Sequence, residues 1–255
     1  FAHYHVSRDL SRVFNTELVA QAASPLYSAY ARIQDQPDRL RAAVMHAFGA
    51  SVILLTPISL FIFATSDSMV RLVLGAQWDA AAPYLRYLAL GVAAQTLGHL
   101  ARGVYSVLDR QAVAVGVWSL RTLVMGGAVF LALTLGTPLL VTQVYAATNL
   151  TLTFLELGLI FRLLGGHYPV VPIYRGAMLA GLLMLGTMEL VPASLARWPV
   201  LDVIGKSTLG GLVYGATILL LWRLLRRPAG PEQALIQHMP ERVRRLLDPH
   251  REPSP

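Results

Sequence analysis

The chain has 255 residues, 55% of them hydrophobic and only 14% charged, with a net charge of +7 and a mean hydropathy of +0.54. A soluble domain carries about a quarter charged residues, so this composition excludes an ordinary globule in water and points to lipid as the solvent. The chain has no cysteine, which excludes disulfides, thiolate metal sites and cysteine nucleophiles.

The first residue is Phe1, and no signal-peptide pattern follows: His3, His5, Arg8, Asp9 and Arg12 are too polar for a signal's apolar region. The sequence therefore reads as one that begins partway through a larger protein. A helix-period segment over about 6–31 comes first and is only partly apolar. Arg8, Arg12, Asn15 and Val19 share one face, and Glu17, Gln21, Ser24 and Ser28 form a second stripe. A helix polar along two stripes is poorly surrounded by lipid, so it is expected to line an aqueous cavity. Two readings of its arginines stand. Arg8 and Arg12 form an anion-binding wall, or both extend to the outer interface.

Pro37 marks the next helix start. From Ala42 to Ser66 no Asp, Glu, Lys or Arg occurs, which is long enough to span a bilayer, with Pro57 predicting a kink inside it. Asp67 to Gly75 reads as a separate short interfacial turn, with Trp78 at headgroup level. A third helix covers about 80–108 and carries Arg86 and Arg102, with Gln95, His99 and Arg102 along one face. His99 reads as a proton relay or as a hydrogen-bonded core histidine, and Arg102 as an arginine extending to the interface. The Asp109-Arg110 turn leads to a fourth helix, about 112–135, with Arg121 near mid-span. Arg121 reads either as a cavity residue or as a structural partner for an acid on a neighbouring helix.

Gly136-Thr137-Pro138 breaks the apolar run before a fifth helix, about 138–161. A sixth follows at about 173–191 and a seventh at about 203–222. Glu156, Glu189 and Lys206 are expected at interfaces. Gly211-xxx-Gly215 and Ala94-xxx-Gly98 are small-residue pairs that let helices approach closely. The fold expected is an all-α, polytopic transmembrane bundle of about seven helices over 1–227. A basic, largely disordered tail over 228–255 follows it.

Loop charge fixes an orientation. With the Arg223, Arg226 and Arg227 tail placed in the cytoplasm, the loops holding Arg162 and Arg175, Arg110, and Arg32, Arg39 and Arg41 also fall inside. The opposite loops carry only Arg71 and Arg197. The positive charge is thus spent on topology, and nucleic acid is not expected as a partner. Soluble-enzyme motifs fail: Gly205-Lys206-Ser207 lacks the first glycine of a phosphate-binding loop, where Val200 stands. His3 and His5 have no third ligand. No metal or other cofactor is expected.

Two segments carry a resemblance. SPLYSAYARIQDQPDRLRAA resembles the helix end, small loop and Asp-x-x-Arg-x-Arg lead-in of bacterial polysaccharide (O-antigen type) flippases. LVLGAQWDAAAPYLRYLAL resembles a segment of that family through Leu74, Gly75, Trp78, Ala81, Leu85, Arg86, Leu88 and Ala89. The opening AHYHVSRDLSRVFNTELVA is similar to the start of the family's eighth helix. Asp109 departs from the family's usual Gly-Arg pair at that turn. The resemblance covers residues 1 to about 110 and belongs to the multidrug/oligosaccharidyl-lipid/polysaccharide exporter superfamily.

It implies the C-terminal lobe of a two-lobe flippase, whose N-terminal lobe would be a partner. It also implies a multi-pass protein of the bacterial inner membrane that moves an undecaprenyl-diphosphate-linked oligosaccharide by alternating access. Arg8, Arg12, Asn15, Glu17, Gln21 and Arg121 would face the substrate, and Glu17 or His99 would serve ion coupling. A flippase breaks no bond, so no enzyme activity is expected. Three alternatives stand beside this reading. A polytopic polymerase or ligase needs a large outer loop, and none is long. A drug exporter of the superfamily handles cations and favours acidic cavity residues over arginines. A scaffold subunit would need neither.

Overall fold

A computed structural model describes residues 5–9, 29–165, 171–192 and 197–224. Its main elements are α1 (Pro37–Val73), a 3₁₀ helix (Ala76–Ala81), α2 (Ala82–Val107), α3 (Gln111–Leu135), α4 (Pro138–Leu163), α5 (Val171–Met188) and α6 (Pro199–Leu224). Short helical stretches also occur at 5–9 and 29–32, and the described residues contain no strand. The protein is an all-helical membrane bundle. Most of the first expected helix and the 228–255 tail lie outside the described residues.

Proline sets several of the starts. Pro37, Pro83 and Pro138 occupy the first turns of α1, α2 and α4, where a missing N–H costs nothing and the fixed φ suits the helix. Thr137 caps α4, its hydroxyl accepting from the Leu140 N–H at 3.4 Å.

The helix α1 is longer than its sequence suggests. The stretch expected as a separate turn after Ser66 is instead the last part of one 37-residue helix, about 55 Å long. That exceeds a hydrocarbon core of about 30 Å, so its ends stand in the headgroup regions. Polar residues near its C-terminal end are absorbed by neighbours. Arg86 on α2 donates to Ser66 at 3.2 Å and to Asp67 at 2.5 Å, and Ser68 donates to Asp202 on α6.

Pro57 lies inside α1 without ending it. A proline there cannot donate to the carbonyl of Ile53, four residues earlier. That carbonyl is buried, and Tyr214 on α6 supplies the missing donor, its hydroxyl 2.9 Å from the Ile53 oxygen. The orphaned acceptor thus becomes a tie between α1 and α6.

The helix α2 is the interior helix of one half. It packs against α1 and α4, and α3 packs chiefly against α4, while α1 also contacts α5 and α6. Small residues on α2 permit the approach: a Cβ on Gly91 would stand 2.9 Å from the Tyr145 ring and 3.1 Å from the Ala146 Cα. Phe48, Leu100, Tyr105, Ile160 and Phe161 fill the core between α1, α2 and α4. Ile53, Ala180, Met184 and Ile218 fill a second one between α1, α5 and α6.

Among the described residues, α1, α3, α4 and residues 199–221 of α6 are long and apolar enough to cross a membrane. The helix α2 is not, and its position explains why: enclosure by α1 and α4 lets it hold Gln95 and Thr96. The expected Gly211-xxx-Gly215 contact is absent among the described residues, since a Cβ on either glycine would meet nothing within 4 Å. Gly210 is the packed position instead, closing on Met188 and Met184 of α5.

The turns show where backbone dictates residue type. Gly75 has φ +91° and ψ 165°, a region open essentially to glycine alone. Arg71 bridges the same turn, its Nε and Nη2 donating to Asp79 at 3.0 and 2.9 Å. Asp109 takes φ +53°, a left-handed conformation that Asp tolerates better than most residues. A glycine would take that angle without strain.

Candidate functional site

The polar residues inside the bundle are the candidates. Of those expected on the first helix, Arg12, Asn15, Glu17 and Gln21 lie outside the described residues, and Arg8 is inside them. Neighbouring Ser7 is fully buried and donates to the Ala81 carbonyl at 2.9 Å. That bond pins residue 7 to the start of α2, at the end of the bundle that carries Arg71 and Asp79. Arg8 is half-exposed there, its Nε 3.6 Å from Asp9.

Arg121 lies deep between α3, α4 and α2, and its guanidinium is the centre of a polar network. Nη1 donates to Glu156 at 2.8 Å, and Nη2 donates to Asn149 at 2.9 Å and Thr153 at 3.2 Å. The Thr153 hydroxyl donates onward to the Ala94 carbonyl of α2 at 3.0 Å, and Asn149 donates to the Tyr145 carbonyl at 3.1 Å. The Arg121 side chain is 18% exposed and that of Glu156 3%. Gly98 makes the space: a Cβ there would be 2.8 Å from Nη1.

This geometry is that of the structural pair, one of the two readings open for Arg121. Its charge is balanced, so in this conformation the guanidinium is committed to protein acceptors. Glu156 was expected at an interface and is buried instead. Its distance from the end of α4 suggested exposure, but the face it occupies decides burial. Asn149, Thr153 and Glu156 recur at i, i+4 and i+7, a polar stripe that turns inward with them. That stripe is the signal that sequence reasoning missed. The buried Trp118 indole N–H also interacts with the Glu156 carboxylate, which extends the network across α3.

The other face of α2 is open among the described residues. His99 is exposed there rather than buried in a core, and Arg102 is exposed beside it. The Arg102 guanidinium lies over the Trp118 ring, 3.8 Å from its centre. Around that pair is a groove of about 420 Å³ between α2 and α3, lined also by Ser106, Gln111, Ser119 and Thr122. Lys206, expected to extend to the interface, instead pairs with buried Asp202 at 3.0 Å. Among the described residues, no group of three His, Asp or Glu side chains is placed to hold a metal ion.

Fold and polar interior together define the class of protein: a helical membrane bundle with arginines held inside it. Residues 1–83, about a third of the chain, match the model of a family described as polysaccharide biosynthesis protein. The match spans the first expected helix, α1 and the Gly75 turn, and supports a role in polysaccharide biosynthesis. No curated protein and no solved structure matches the chain.

Proposed function

We propose that this chain is the C-terminal lobe of a flippase that moves an undecaprenyl-diphosphate-linked oligosaccharide across the bacterial inner membrane by alternating access. The observation that carries the reading is the match of residues 1–83 to a polysaccharide biosynthesis family. It falls on the segments whose motifs resemble flippases and takes in Arg8 and Arg12. A diphosphate must cross a low-dielectric core, and arginine stays protonated and binds phosphate with two parallel hydrogen bonds. The first helix offers Arg8 and Arg12 with Asn15, Glu17 and Gln21 beside them. On this reading Arg121, tied to Glu156 in this conformation, is the further cavity arginine. No bond is made or broken, so the protein is a transporter and not an enzyme.

The test uses the full-length protein in cells lacking their own copy. Arg12→Ala should abolish surface polysaccharide and leave lipid-linked precursor in the inner leaflet, while Arg12→Lys keeps part of the export. Unchanged export by Arg12→Ala at normal expression removes Arg12 from the substrate site. Reporter fusions after Arg41, Arg110 and Arg175 should all report cytoplasm. A periplasmic report from any of them overturns the orientation.

A further inference from the structure

The groove between α2 and α3 is not used by the flippase reading, and its chemistry is specific. Its floor is the Trp118 ring with the Arg102 guanidinium upon it. Arg102 forms no ion pair with a carboxylate among the described residues, so stacking holds the cation in place and leaves its N–H groups for an acceptor. The Gln111 amide donates to Ser106 at 3.1 Å, which uses the hydroxyl oxygen as acceptor and leaves its hydrogen to donate. Ser119 adds a second hydroxyl on the α3 side.

A cation and hydroxyl donors converging on one groove select a phosphate oxygen cluster. The surroundings select its source. The groove's own lining includes Val115, 66% exposed, an apolar flank that free phosphate would not use and acyl chains would. We propose that the α2–α3 groove binds the phosphate headgroup of an anionic phospholipid, seated on Arg102 and Trp118 with its chains along α3. The proposal makes no use of the first-helix arginines and stands whether or not the substrate reading does.

Trp118 is the built-in probe. Trp78→Phe, Trp198→Phe and Trp222→Phe leave it as the sole indole in the chain. The protein is placed in phosphatidylcholine nanodiscs containing a small fraction of phosphatidylglycerol with brominated chains. One basic contact near a bilayer surface corresponds to about fivefold enrichment, so Trp118 should be quenched about fivefold beyond the mole fraction of brominated lipid. Brominated phosphatidylcholine at the same fraction should quench only in proportion to its abundance. Arg102→Gln should reduce phosphatidylglycerol quenching to that proportion, and Arg102→Lys should keep most of the enrichment. Equal quenching by the two lipids in the Arg102 protein overturns the proposal without any Arg102 variant. So does enrichment that survives Arg102→Gln. Loss of the enrichment on adding inorganic phosphate would assign the groove to free phosphate and overturn the lipid assignment.

Discussion

Removing the Glu156 carboxylate should be the most damaging single change to the bundle. Glu156→Ala leaves Arg121 with the Asn149 and Thr153 oxygens and no counter-charge, in a side chain only 18% exposed. Breaking a buried ion pair from one side costs about 3–5 kcal/mol. Two neutral acceptors remain and the guanidinium keeps some exposure, so we expect a loss just below that range, about 2–3 kcal/mol. Arg121→Met should cost less, because an abandoned carboxyl can take up a proton whereas a guanidinium cannot lose one. In the double variant Arg121→Met/Glu156→Leu no charge is stranded, so the loss should fall below that of Glu156→Ala. Unfolding in mixed micelles, followed by circular dichroism against increasing dodecyl sulfate, measures all three against the unsubstituted protein. Additive losses in the double variant, or a Glu156→Ala loss under about 0.5 kcal/mol, would refute the claim that the two charges act as a unit.

Three further substitutions follow from the geometry. Gly98→Val should destabilise by about 1–3 kcal/mol by crowding the guanidinium, whereas Gly116→Ala, with nothing within 4 Å of its Cβ, should be neutral or slightly stabilising in the same assay. Tyr214→Phe strands the Ile53 carbonyl and should cost about 1–2 kcal/mol. In a Pro57→Ala background, where α1 can satisfy that carbonyl itself, the same change should cost much less, and an equal cost would remove Pro57 from the explanation. Gly75→Ala should lose about 1–3 kcal/mol through its backbone angles, readable as a lower midpoint in the same titration.

Much of the helix layout was legible because its signals are local. Pro37, the Asp109-Arg110 turn and Gly136-Thr137-Pro138 each mark a boundary through the φ they fix or the N–H they lack, and the helices begin and end there. What was not legible depends on partners distant in sequence. Ser66 and Asp67 read as the end of a span because no sequence rule supplies Arg86 as their neighbour. Asp202 stands one helical turn from Lys206 and was open to reading as its partner, but the burial of that acid depends on Ser68, far away in sequence. Gly210 and Gly211 are adjacent in the chain, and only packing decides which of them meets Met188. For the candidate site, the sequence marks Arg121 as needing an acid but does not choose Glu156, since helix depth and helix face are different coordinates. The Arg102–Trp118 stack joins residues on two helices, and no spacing within either one announces it.

Transport of a lipid-linked oligosaccharide is the central claim, and the sidedness of that lipid measures it most directly. The full-length protein is reconstituted into vesicles with a fluorescent undecaprenyl-diphosphate oligosaccharide, and an impermeant reagent then bleaches whatever label lies in the outer leaflet. The account predicts that nearly the whole pool becomes bleachable with the unsubstituted protein, and only the outer-leaflet share with Arg12→Ala. Bleaching that stops at the outer-leaflet share with folded, unsubstituted protein in sealed vesicles, across the ion gradients supplied, would contradict it.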